Sequence, residues 1–173
     1  MFREFLIPVY DYFSISKKYL FFDFGIPIII SFIIYLFNSD SVIFNNDILG
    51  QEITLLGIIA GFNITALSVL TTANNSMIDK LKGKKSENRI SGKKIDLFQE
   101  LYIFISYSIL VSFFIIFFSF IGYILSVKKI TSENSFDFLC YSNLMLIFHC
   151  VFLNIRNVAF IYFSFFNSQK DDK

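Results

Sequence analysis

The stretch LYIFISYSILVSFFIIFFSFIGY, residues 101–123, has no charged residue in 23 positions. Coiled as an α-helix it is about 35 Å long, enough to cross a hydrocarbon core of ~30 Å. Three further apolar blocks lie at residues 20–37, 52–72 and 139–162. The chain of 173 residues is 55% hydrophobic and 17% charged, with 25 Phe, 9 Tyr and no Trp, which is not the balance of a soluble domain. The expected fold class is all-α, an integral membrane four-helix transmembrane bundle. Tyr19 and Tyr35, Tyr102 and Tyr123, and Tyr141 and Tyr162 bracket three of the blocks, as amphipathic rings do at headgroup level.

The net charge of +1 conceals segregation. Residues 79–96, DKLKGKKSENRISGKKID, carry seven Lys or Arg, and Arg3, Lys17, Lys18, Lys170 and Lys173 flank the outer blocks, twelve in all against Lys128 and Lys129. The positive-inside rule then predicts a multi-pass inner-membrane protein with both termini and the basic loop in the cytoplasm. Residues 1–19 read as an amphipathic segment lying in the interface, with Pro8 in its first turn or at a break. Its acidic residues and the lack of a small-residue cleavage site do not fit a signal peptide, so the first span is expected to stay. Residues 20–167 form the four-span domain and 168–173 a cytoplasmic tail. Gly83, Ser86, Asn88, Ser91 and Gly92 predict a flexible loop, in which Lys80, Lys82, Lys84, Lys85, Arg89, Lys93 and Lys94 contact anionic membrane lipids or an acidic partner. Without interleaved aromatics the loop offers no stacking platform, and no direct nucleic acid binding is expected. Residues 73–81, 95–100 and 163–167 are expected to extend three helices inward as a short stalk.

Small residues recur at helical spacing in two blocks. Gly57, Gly61, Thr65, Ser68 and Thr72 draw one stripe, and Ser108, Ser112, Ser119, Gly122 and Ser126 another. Small side chains let backbones approach where lipid supplies no hydrophobic drive, so the stripes predict helix packing, within one chain or between subunits of an oligomer. The simplest arrangement packs spans two and three antiparallel through both stripes. The fourth block is the most polar: Asn143, Cys150, Asn154 and Asn157 share a face, and His149 and Arg156 share another.

Three roles stand open for Arg156: an anchor snorkelling to the headgroups, a partner for a polar group in the bundle, or a pore residue. Asn63, Thr65 and Glu100 are its candidate acceptors, with Glu100 the best charged match by depth. His149 is the only histidine, and no ligand spacing accompanies it, so neither a metal nor a cofactor is expected. Cys140 and Cys150, about 15 Å apart along one helix, cannot bridge within a subunit. No nucleophile triad, HExxH, Walker glycine loop or CxxC is present, so an enzyme is not expected. Chemistry thus leaves a small four-span membrane protein with packing seams and a basic loop, compatible with a small pore or a four-span exporter. The exporter is disfavoured because Asp23 sits near the inner end of span one rather than at its middle.

The N-terminal amphipathic segment, the four spans and the run GIIAGFNITALSVLTTANNSMIDKLK at residues 57–82 resemble the KwaA family, the membrane component of the bacterial Kiwa anti-phage defence system. The resemblance covers size and topology across the chain rather than a diagnostic motif. It implies a homo-oligomer, taken as a tetramer, that senses phage attachment or envelope disturbance and signals to a cytosolic effector, KwaB. Asn154 and Arg156 are the expected sensing region, and the basic loop the expected partner contact.

Overall fold

The computed structural model describes residues 2–37, 46–72, 76–127 and 133–170, and these are mostly helical. Three helices are long and apolar enough to cross a membrane, over Gly50–Thr72, Leu97–Ile124 and Phe138–Phe163. A fourth crossing is available if the bent pair Leu6–Lys18 and Phe21–Phe37, which meet at 103°, counts as one. Met1, residues 38–45, 73–75 and 128–132 and the last three residues lie outside the described residues, as does any reading placed on them, the start of the 73–81 stalk included.

Helix α1 (Phe2–Ile15) contains Pro8 and runs into a 3-10 turn at Ser16–Lys18, closed by the Tyr19 amide on the Ser16 carbonyl at 2.7 Å. The chain then bends, and a π-helical turn, Phe21–Gly25, leads into α2 (Ile26–Phe37). A π turn admits an extra residue, which rotates the side chains that precede it relative to those that follow. Here it carries Asp23 inward, where the carboxylate is fully buried.

Helix α3 (Asn46–Thr72) is followed by a separate short helix, α4 (Ser76–Gly83), with Ile78 and Leu81 buried. The basic segment is not a flexible loop. It folds as an antiparallel hairpin of β1 (Lys85–Ile90) and β2 (Lys93–Asp96), pairing Ile90 with Lys93 and Arg89 with Lys94. Ser91 and Gly92 both take positive φ, 49° and 81°, the two-residue turn that matches strand twist. Ser91 and Gly92 therefore set a turn instead of conferring mobility. Ile95 joins the cluster formed by Tyr12, Ile15, Ile103, Phe104, Tyr107 and Leu153, so the hairpin is packed against α1 and the start of α5.

Helix α5 (Leu97–Val127) starts at a reciprocal cap: the Gln99 amide donates to Asp96 Oδ1 at 2.7 Å and the Asp96 amide to Gln99 Oε1 at 3.0 Å. The stalk reading thus fails at Ile95 and Asp96, which belong to β2. Helix α6 (Glu133–Lys170) continues through residues 163–167.

Helices α3 and α5 pack antiparallel, Leu56 meeting Ile115 and Leu70 meeting Leu101 and Ile105. The glycine stripe is not their seam. Gly57, Gly61, Thr65 and Ser68 are exposed, and a Cβ built on either glycine meets nothing within 4 Å. The seam on α3 is Glu52, Leu56, Ala60, Asn63 and Leu70, all buried. The physical reason is complementarity: α5 offers the small Ser108 and Ser112 to this interior, and larger side chains from α3 fill the space they leave. Gly122 is half-buried with no neighbour at its Cβ position.

Candidate functional site

The buried polar side chains of α3, α5 and α6 meet in layers. At the hairpin-distal end, Asn143 donates to Glu52 Oε2 at 2.9 Å, and Ser119 donates to Asn143 Oδ1 at 3.0 Å. In the second layer, Asn63 donates to Asn154 Oδ1 at 2.7 Å, and Asn154 donates to Ser108 at 3.1 Å. Between them Ser112 touches Cys150 at 3.2 Å, and Leu56, Ile115 and Ile147 fill the rest. Each helix supplies its pair at the same spacing: Glu52 and Asn63, Ser108 and Ser119, Asn143 and Asn154 are all eleven residues apart. Eleven residues make three turns and about 16 Å of rise, so each pair shares one face at two depths.

The third layer contains an ion pair. Arg156, 7% exposed, pairs with the fully buried Asp23 through Nη1 and Oδ2. Tyr12 donates to the same carboxylate oxygen at 2.5 Å. The guanidinium carbon lies 4.1 Å from the Phe104 ring centroid and 5.5 Å and 5.4 Å from those of Tyr12 and Tyr19, an aromatic box suited to a cation. His149 places Nδ1 2.6 Å from the Asp23 carbonyl and Nε2 3.2 Å from the Tyr107 hydroxyl, while stacking on Phe24 at 4.0 Å. Tyr107 stacks on Tyr12 at 3.6 Å between centroids. Asn157 accepts from Arg156 Nη2 at 3.3 Å and donates to the Phe104 carbonyl at 3.5 Å. Asp23 Oδ1 and Arg156 Nε have no partner among the described residues. Both ring nitrogens of His149 thus have partners, and the described residues contain no group of three or more His, Cys, Asp or Glu that could hold a metal.

Arg156 therefore takes neither the anchor role nor any of its expected acceptors. Asn63 serves Asn154 and Ser108, Thr65 bonds back to the Gly61 carbonyl at 2.9 Å, and Glu100 is occupied by the hairpin, accepting from Ser86 and, at 2.9 Å, from Asn88. Asp23 and Tyr12 were not read as site residues. The signal was available in the charges: Asp23 is the only charged residue of block 20–37 and Arg156 the only one of block 139–162, and opposite charges inside apolar helices seek each other.

Helix α1 links this layer to the hairpin. One edge, Tyr12, Ile15 and Ser16, is buried, and the other, Leu6, Ile7, Tyr10 and Phe13, is exposed. Lys18, just past α1, pairs with Glu87 on β1 at 2.5 Å. That hydrogen bond and charge hold the Glu87 carboxyl below the usual carboxylate range and raise the Lys18 ammonium. Of the other basic residues, Lys82 lies over the Phe98 ring at 5.1 Å. Lys80, Lys84, Lys85, Arg89, Lys93 and Lys94 are exposed on α4 and the hairpin. Comparison with known families, characterised proteins and solved structures gives no significant match.

Proposed function

We propose that this chain crosses the bacterial inner membrane four times as a helix bundle, with both termini and the hairpin in the cytoplasm. In this reading it serves as an oligomeric sensor and scaffold of anti-phage defence, detecting membrane perturbation and recruiting or regulating a cytosolic effector. The observation that carries the reading is the double edge of α1. Its exposed apolar edge suits insertion among lipids at the interface, while its buried edge reaches the Asp23–Arg156 pair through Tyr12 and is followed directly by the Lys18–Glu87 bridge to the hairpin. A change in lipid packing that shifts α1 must disturb both contacts together. The orientation is supported by the placement of Lys and Arg. The defence role and the effector, KwaB, are supported by the resemblance in size and topology to the Kiwa membrane component. The exposed Gly57–Gly61 stripe supports assembly into an oligomer.

The rival reading, a small pore lined by span four, needs the Asn side chains turned to water. Asn143 and Asn157 are buried and Asn154 partly so, all three hydrogen-bonded within the chain. The test is a mild-detergent pull-down of tagged protein from cells carrying its neighbouring genes. The expected result is an oligomer with a stoichiometric cytosolic protein that is released when Lys85, Arg89, Lys93 and Lys94 are reversed in charge. An oligomer with no partner, together with ion flux from reconstituted protein, would replace this reading with the pore.

A further inference from the structure

Between α2 and α6, toward the end away from the hairpin, lies a groove of about 440 Å³, within the ~300–1,000 Å³ range of small-molecule sites. Ile28, Phe32 and Tyr35 line one wall, and Tyr141 and Met145 the other. Tyr35 and Tyr141 meet edge to face at 4.5 Å. The lining is apolar and aromatic apart from the phenol hydroxyls of Tyr35 and Tyr141 and the two serine hydroxyls. Ser142 is satisfied by the Phe138 carbonyl at 2.8 Å. Ser31 is 5% exposed and has no hydrogen-bond partner among the described residues.

Ser31, like Ser16, differs from many helical hydroxyls of the described residues. Ser14, Thr54, Thr65, Thr72, Ser112 and Ser142 each donate to the carbonyl four residues back, and Ser31 does not. Ser31 lines the groove with its Oγ buried and unpartnered among the described residues, and a buried donor left unmet carries a free-energy cost until an acceptor arrives. The occupant must then combine an acceptor oxygen with a long apolar body, and must reach a lateral face of the helices. We infer that the groove binds one glycerophospholipid, with Ser31 donating to an ester carbonyl and an acyl chain lying along Ile28 and Met145. The inference rests on the proposed membrane reading, in which Tyr35 and Tyr141 stand at headgroup level and Ser31 one helical turn deeper.

The test reconstitutes the full chain in vesicles of phosphatidylethanolamine and phosphatidylglycerol, with p-benzoylphenylalanine replacing Phe32 in the groove or Phe117 on the exposed side of α5, and reads phospholipid adducts by mass after illumination. The adduct at position 32 is expected to exceed that at 117 by about fivefold, the occupancy one net hydrogen bond supplies. Ser31→Thr should keep the excess, whereas the nearly isosteric Ser31→Val, and dialkyl ether lipids that lack ester carbonyls, should each abolish it. Equal yields at positions 32 and 117, equal yields in the Thr and Val variants, or a crosslink to a second chain in place of lipid would overturn the site. Loss of the protein from carbonate-washed membranes would instead remove the membrane reading, and the site with it.

Discussion

Removing either member of the Asp23–Arg156 pair should destabilise the protein far more than a surface ion pair would. Both groups are more than nine-tenths buried, and the guanidinium sits against Phe104. Breaking such a pair costs about 3 to 5 kcal/mol, because the surviving charge is left without compensation. That is two to nearly four powers of ten in the folded population. Asp23→Asn should be worse than Arg156→Met, since an orphaned carboxyl can take up a proton whereas a guanidinium cannot shed its charge. The double variant Asp23→Leu with Arg156→Met removes both charges and should return to within ~1 kcal/mol of the parent. Arg156→Lys should fail to rescue, because a point charge cannot hold the carboxylate while stacking on Phe104. Equilibrium unfolding in mixed micelles, followed by circular dichroism, gives the free energy of each variant. Single variants that cost under ~1 kcal/mol, with Lys as good as Arg, would mean that Arg156 reaches the headgroups, and the reasoning fails.

Asn63→Ala and Asn154→Ala should couple by about 0.6 kcal/mol in a double-mutant cycle, the average for hydrogen bonds between membrane helices, and additive effects would dissolve the second polar layer. Gly92→Ala, at φ 81°, should cost about 1 kcal/mol and speed amide exchange across the hairpin, while unchanged exchange would contradict the turn. Oxidation of Gly61→Cys should give dimers and that of the buried Ser112→Cys none; the reverse would place the oligomer interface elsewhere. Glu87 has a lowered folded pKa, so its contribution is present above the ordinary carboxylate value and is lost as pH falls through the folded one. Spin labels on α1 and the hairpin should separate over that acidic range at low salt, and not in Glu87→Gln, because an exposed pair is weak and screened.

The three helices of membrane length, and a fourth if the bent pair counts as one, were legible because length and composition alone decide whether a helix can cross a bilayer. Which face of α3 turns inward was not. The glycine spacing marks a face where close approach is possible, but the inward face is set by what α5 and α6 present, and they present Ser108 and Asn154 to Asn63. The eleven-residue recurrence of polar residues in three helices was a better guide than the small-residue stripe, because in an apolar interior a polar group must find a partner while a glycine need not. The hairpin was hidden by its charge. Residues 85–96 lack the apolar alternation of a strand, and only Ile90 and Ile95 mark an inward side, so the Ser91–Gly92 turn was the sole strong signal. Asp23 was placed by a π turn, and a π turn follows from packing rather than from local propensity.

These layers divide the molecule into a frame and a movable part. Helices α3, α5 and α6 are joined by two polar layers about 16 Å apart along each helix, with Leu56, Ile115 and Ile147 closing the space between, so a slip of one helix would break several hydrogen bonds at once. Helices α1 and α2 enter neither layer. Besides apolar and aromatic packing, the polar ties that hold them include those of Asp23 to Arg156 and His149 and of Lys18 to Glu87, on either side of a 103° bend. Tyr12 belongs to α1 but bonds to Asp23 beyond the bend, so the angle itself is fastened by that hydroxyl. Opening the bend therefore requires one buried hydrogen bond to break and loosens the carboxylate that holds Arg156. A membrane disturbance acting on Leu6, Ile7, Tyr10 and Phe13 would pull on this joint before it reached the frame, and the hairpin is tied to the same joint.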